Sequence, residues 1–274
     1  MDASAAPIAT PIAADRRHLR RSPWEGGASA LLIARRHLLQ IRGNPGLLLD
    51  ATVMPMIFTV VFVYVFGGAI AGAQRAYLQY FLPGIMAVTI TIVARTTGIS
   101  LNVDFSNRIV YRLRTLPIAR SAVLAGRVIA DAARMLLSQV VMLVFGCLIG
   151  FRISTGVLPV VAAVALMVAF GIALSWTSAF IGVFARSVQT AETVTTLALV
   201  PLQFGSSLFV RPSTMPGWLQ GFVRVNPVTL VVDACRALLT GGQTGPAALG
   251  AVIWIVAMTA VFAPLAVRGY RRRR

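Results

Sequence analysis

Lysine is missing from this 274-residue chain, and all 25 of its basic residues are arginine. A phosphate-binding loop of the GxxxxGK[ST] kind needs the lysine ammonium, and no polar stretch here is long enough for a nucleotide-binding domain, so any ATP-driven work requires another polypeptide. Acidic side chains number only 8. The two histidines, His18 and His37, both lie in the basic N-terminal region, and neither HExxH nor GxSxG occurs. Metal-dependent and serine-based hydrolysis inside the membrane therefore have no visible machinery. Cys147 and Cys235 are the only cysteines and read as small packing hydrophobes. Charged residues make up 12% of the chain, against 57% hydrophobic ones and a mean hydropathy of +0.80. That balance excludes a soluble domain and places the chain among multi-spanning membrane proteins. The net charge of +17 is no nucleic-acid footprint, because the arginines border apolar stretches instead of lining a basic face interleaved with aromatics.

A crossing takes roughly 20 apolar residues, which leaves room for about six in this length. Residues 1–46 read as a retained, basic cytoplasmic arm followed by an amphipathic interfacial helix over Ala28 to Arg42, with Asn44-Pro45-Gly46 turning the chain into the bilayer. Residues 47–274 form the membrane domain. The spans expected are Leu47 to Phe66, closed by Gly67-Gly68, then Tyr80 to Leu101, starting near a Pro83-Gly84 break, and Val128 to Ile149. Val157 to Phe184, a short Val194 to Val210 and Ala247 to Val267 follow. Residues 211–245 are too broken for a clean crossing and too apolar for a free loop, so they read as a re-entrant or interfacial helical hairpin with Trp218 at headgroup level.

Between the second and third spans lies NVDFSNRIVYRLRTLPIARSAVLAGR. Its first half predicts an amphipathic helix with Asp104 as N-cap, Phe105 and Ile109 on the apolar side, and Arg108 and Arg112 on another, ended by Pro117. Such a helix either rests on anionic lipid or takes a push from a soluble partner. With six crossings, 18 arginines fall on the side of the two termini, five on the other side and two inside spans. The bias predicts a plasma-membrane protein with both termini and this loop in the cytoplasm. Asp50, Arg95, Asp131, Arg134 and Glu192 all fall near the cytoplasmic ends of spans. They read either as residues snorkelling to the interface, with Asp131 and Arg134 paired three apart, or as a charged vestibule in which Arg95 lies deepest.

Three segments carry a family resemblance: YLQYFLPGIMAV; LNVDFSNRIVYRLRTLPIARSAVLAGRVIADAARMLL; and PSTMPGWLQGFVRVNPVTLVVDACRALLTGG. They resemble the ABC-2 type permeases, in particular the daunorubicin/doxorubicin-resistance subgroup. The resemblance implies an all-α integral membrane fold of six transmembrane helices with an N-terminal interfacial helix, a cytoplasmic coupling helix between spans 2 and 3, and an outer re-entrant hairpin between spans 5 and 6. It implies a second permease copy and two copies of an ABC ATP-binding subunit. ATP and magnesium bind on that subunit, and this chain needs no cofactor. The cargo implied is a hydrophobic or amphipathic drug, antibiotic, lipid or glycolipid moved outward. Coupling contacts would fall on Asp104, Phe105, Arg108, Ile109, Arg112 and Arg114, and the exit hairpin on Trp218, Asn226, Pro227 and Arg236. The substrate path is placed on Phe58, Phe62, Thr89, Arg95, Gln203 and Phe204, of which the polar members serve equally as interhelical glue. An ion-gradient-driven carrier would want a carboxylate near mid-membrane. A non-transporting scaffold would show no dependence on substrate.

Overall fold

A computed structural model describes residues 46–106 and 120–272, and among them every regular element is helical. The chain runs through α1 (Gly46–Val61), a π-helical turn (Phe62–Phe66), α2 (Gly67–Ala71), α3 (Gln74–Ser106), α4 (Arg120–Leu148), α5 (Val157–Phe184) and α6 (Val188–Phe204). A 3-10 turn (Pro212–Thr214), α7 (Gly217–Val225), α8 (Pro227–Thr240) and α9 (Gly245–Arg272) complete it. Among the described residues, five segments are long and apolar enough to cross a membrane: Thr52–Ala71, Gln74–Asp104, Gly126–Leu148, Val157–Phe184 and Gly245–Tyr270. Helix α6, with 17 residues, falls just short of that length.

Helix α3 is the axis of the bundle. Its apolar stretch is 72% buried, against 17 to 44% for the other four spans, because it packs on α1, α4, α5, α6 and α8 at once. Tyr77, Phe81, Leu82, Ile85, Met86 and Ile90 point every way around it into the main core. Toward its far end α3 crosses α5 with backbone against backbone. A Cβ on Gly98 would lie 2.1 Å from the Ser178 carbonyl oxygen, and one on Gly182 would lie 2.2 Å from that of Gly98. Only glycine permits this approach.

Several expected boundaries move. No break occurs at Pro83, which lies inside the continuous helix α3, as helix-breaking residues can in a bilayer where an interrupted backbone would go unsatisfied. Gly67-Gly68 does not close the first span, since a π turn widens the helix there and α2 carries it on to Ala71. Asp104 is no N-cap: α3 runs past it to Ser106, so Asp104 and Phe105 occupy its last turn. The fifth apolar segment begins and ends earlier than expected, because Ser187, not Val194, starts it. The Ser187 hydroxyl accepts from the Thr190 backbone N–H at 3.1 Å, a helix N-cap. Val157–Phe184 agrees with the expected span residue for residue.

Candidate functional site

The calls on Arg108, Ile109, Arg112 and Arg114, like those on the N-terminal arm and interfacial helix, lie outside the described residues. What flanks the central loop is described. The Arg127 guanidinium donates to the Asp104 carboxylate at 2.7 Å, joining the end of α3 to the start of α4 across that loop. Two turns deeper, Arg134 Nη1 donates to Asp131 Oδ1 at 3.2 Å, and Thr97 of α3 donates to Asp131 Oδ2 at 2.7 Å. This pair does not snorkel. Its side chains are 9% and 8% exposed, and they are enclosed where α3, α4 and α5 meet. Asn102 adds a third tie, donating to the carbonyls of Gly182 at 3.0 Å and Ala185 at 2.9 Å on α5.

In the middle, a cleft of about 280 Å³ opens between α1, α3 and α6. It gathers three of the six residues expected on the substrate path: Phe58, Arg95 and Gln203. Arg95 Nη1 donates to the Thr196 hydroxyl at 3.3 Å and is in no ion pair among the described residues. The other three lie elsewhere. Thr89 is fully buried and turns its hydroxyl back to the Ile85 carbonyl at 3.0 Å, while Thr91 faces the cleft. Phe62 stacks on Phe81 with ring centroids 5.4 Å apart and meets Phe209 at 5.6 Å, so it binds α1 to the core. Phe204 stacks on Phe209 at 5.2 Å beyond the cleft. Met54, Thr91, Ile92, Thr196, Leu199 and Val200 complete the lining; the sequence pointed to none of them, because one-helix periodicity does not say which faces of three helices converge.

After α6 the chain forms two helices, α7 and α8, that meet at Asn226. Asn226 pins its elbow using the whole amide. Its Nδ2 donates to the Leu202 and Gly205 carbonyls at 2.8 and 2.7 Å, closing the end of α6, and its Oδ1 accepts from the Val228 backbone N–H at 2.8 Å, capping α8. Pro227 takes the first helical position, where a missing N–H costs nothing. Arg236 reaches from α8 to α3: Nε and Nη2 donate to the Tyr80 carbonyl, at 3.2 and 3.1 Å, and Nη2 also to that of Ser207 at 3.2 Å. Its guanidinium lies 3.8 Å from the Tyr80 ring centroid and pairs with Asp233. The Tyr80 hydroxyl donates to the Ser207 carbonyl at 2.6 Å, and the Ser207 hydroxyl to Asp233 at 2.7 Å. Tyr80, Ser207 and Asp233 were not foreseen, although the spacing of Asp233 and Arg236 is a readable signal. Trp218 is 79% exposed at the tip of α7. The two cysteines are both free, Cys147 exposed and Cys235 buried.

The Asp104–Arg127 ion pair, the cleft at Arg95 and the Arg236–Tyr80 contacts thus all involve one helix, α3. The model of the ABC-2 type transporter matches residues 29–240. The chain belongs to the ABC-2 type transporter family. It is 38% identical over 239 residues to the daunorubicin resistance ABC transporter permease protein DrrB1 of Streptomyces coeruleorubidus, covering 87% of this chain and 84% of that one. Similarity extends to the probable doxorubicin resistance ABC transporter permease protein DrrC of Mycobacterium tuberculosis, at 29% over 247 residues and 89% of each chain. It extends also to the inner membrane transport permease YadH of Escherichia coli K12, at 24% over 194 residues, 68% of this chain and 74% of that one. This ABC-2 permease is therefore a multi-pass membrane protein, the membrane subunit of an ABC transporter.

Proposed function

We propose that this ABC-2 permease carries a hydrophobic or amphipathic compound outward across the cell membrane, driven by ATP hydrolysed on a separate subunit. The cargo class follows from the names of two relatives, a daunorubicin resistance permease and a probable doxorubicin resistance permease. Six crossings result if α6 makes the fifth and α7 with α8 forms an outer hairpin; the arginine bias then puts both termini in the cytoplasm. Two permease copies flank the path and two ATP-binding subunits, holding ATP and magnesium, dock at the loop of residues 107–119. Apolar side chains of α1 and α6, among them Ile57, Phe58, Leu197 and Phe204, are exposed and available to a second copy or to lipid.

One observation carries the reading: Phe58 of α1, Arg95 of α3 and Gln203 of α6 line the same cleft. Aromatic, apolar and hydrogen-bonding groups around one opening suit a cargo with both a greasy body and polar edges. Because the inner parts of α3, α4 and α5 are tied together, ATP-driven movement of the loop shifts them as a unit and changes the cleft against α1 and α6. The test has two arms. Thr91→Trp, which fills the cleft, abolishes export of an amphipathic dye from cells while co-purification with the ATP-binding subunit persists. Arg108→Glu with Arg112→Glu does the reverse, weakening that association with membrane insertion intact. Undiminished export by the first variant rejects the cleft, and undiminished association by the second rejects the docking loop.

A further inference from the structure

A second recess, of about 590 Å³, lies where the end of α5 meets the last turns of α9. It sits away from the central cleft, on the side of the bundle that the arginine bias assigns to the cytoplasm. Arg186 and Arg268 stand at its mouth, Phe184 and Leu265 on its walls, and no acidic residue lines it. Both guanidiniums are exposed, and among the described residues neither is in an ion pair. The floor is set by a close helix approach, since a Cβ on Gly269 would come within 2.8 Å of both the Val183 and Phe184 side chains.

The walls do not end at the recess. Phe184 is 61% exposed and leads to Phe180, with ring centroids 4.9 Å apart, and Phe180 leads to Phe262 at 5.6 Å. An aromatic track therefore rises from the two cations toward the membrane interior. The negative end of α5 would ordinarily oppose an anion here. That end is already engaged, because the Asn102 amide donates to the Gly182 and Ala185 carbonyls.

We propose that this recess binds an anionic phospholipid of the inner leaflet, with its phosphate between Arg186 and Arg268 and the start of an acyl chain along Phe184, Phe180 and Phe262. Two arginines that are in no ion pair among the described residues suit a phosphate, and basic pockets between helices at the cytoplasmic face suit acidic headgroups. The apolar track selects a lipid over a free anion. A lipid seated there bridges the loop between α5 and α6 to the C-terminal helix. The assignment of leaflet rests on the orientation proposed above; binding in detergent does not, so the two can fail separately.

The experiment is native mass spectrometry of the intact purified permease in detergent with dioleoylphosphatidylglycerol, dioleoylphosphatidylcholine or inorganic phosphate alone. The wild-type chain should retain one phosphatidylglycerol per subunit under conditions that strip phosphatidylcholine. Each arginine near an acidic lipid surface contributes about fivefold in affinity, so Arg186→Gln with Arg268→Gln should weaken that binding roughly 30-fold. Arg75→Gln with Arg211→Gln, at the opposite end, should leave it unchanged. Both sites of substitution are exposed, and an unchanged melting temperature in phosphatidylcholine verifies that the double variant is folded. Equal retention of the two lipids, persistence of the phosphatidylglycerol adduct in the Arg186/Arg268 variant, or equal stabilisation by inorganic phosphate would each overturn the proposal.

Discussion

Replacing Gly98 by alanine puts a methyl group where the structure has room for none. Its Cβ would lie 2.1 Å from the Ser178 oxygen and 2.6 Å from the Ser178 carbonyl carbon, both backbone atoms of α5 that no rotamer change can move. Ordinary contact begins near 3.4 Å, so the two helices have to separate by more than 1 Å along their most closely packed stretch. Overpacking of this kind costs typically ~1–3 kcal/mol, and a rigid neighbour argues for the upper end. Alanine also gains ~1 kcal/mol of helix propensity over glycine, leaving a net loss of about 2 kcal/mol. Gly68 supplies the control: it is helical and exposed, and a Cβ there would meet nothing within 4 Å. Gly68→Ala should therefore stabilise by ~0.5–1 kcal/mol. Thermal unfolding of the two variants in one detergent should split them to opposite sides of the wild type, with Gly98→Ala lower by about 4–8 °C. If Gly98→Ala melts with or above Gly68→Ala, α3 and α5 do not meet backbone to backbone, and the close crossing described here is wrong.

Arg134→Met leaves the Asp131 carboxylate buried without its cation and should cost ~3–5 kcal/mol, while the double change Asp131→Leu with Arg134→Met should cost much less, as read from unfolding in a double-mutant cycle. By contrast Asp104→Asn, which breaks a partly exposed pair, should cost less than ~1 kcal/mol in the same assay; a loss as large as that at Arg134 contradicts the exposure seen here. Asn226→Ala forfeits two donated hydrogen bonds and a helix cap, ~3 kcal/mol together, and should open the α7–α8 segment to tryptic cleavage at Arg224 without affecting the Asp104–Arg127 end.

Long apolar runs were legible because each span carries its own signal. Val157 to Phe184 needs no partner to be recognised, and its ends coincide with those of α5. Breaks were legible only where the bilayer lets them be. The Asn226-Pro227 elbow is real, whereas Pro83 sits inside a helix whose neighbours cover it. Charges show the same division. Asp131-Ala-Ala-Arg134 and Asp233-Ala-Cys-Arg236 have identical spacing and both form ion pairs within one helix. The sequence suggested the first pair but not its burial, which Thr97 of α3 decides, and it left the second unread because Tyr80 and Ser207 are distant in the chain. Half of the expected path residues share one cleft. Thr89 and Thr91 differ by two positions, or roughly 200° around a helix, and only the packing of α1 and α6 says which of them looks into the opening.

Helix α6 has 17 residues, about 25 Å of rise, beside a hydrocarbon layer about 30 Å thick. If α6 makes the fifth crossing proposed above, lipid next to a helix that short is drawn thinner, at a cost of fractions of a kcal/mol for each ångström of mismatch. A molecule moving along α6 would then cross a dimple in the bilayer, where its polar head leaves one wet surface already several ångströms nearer the other.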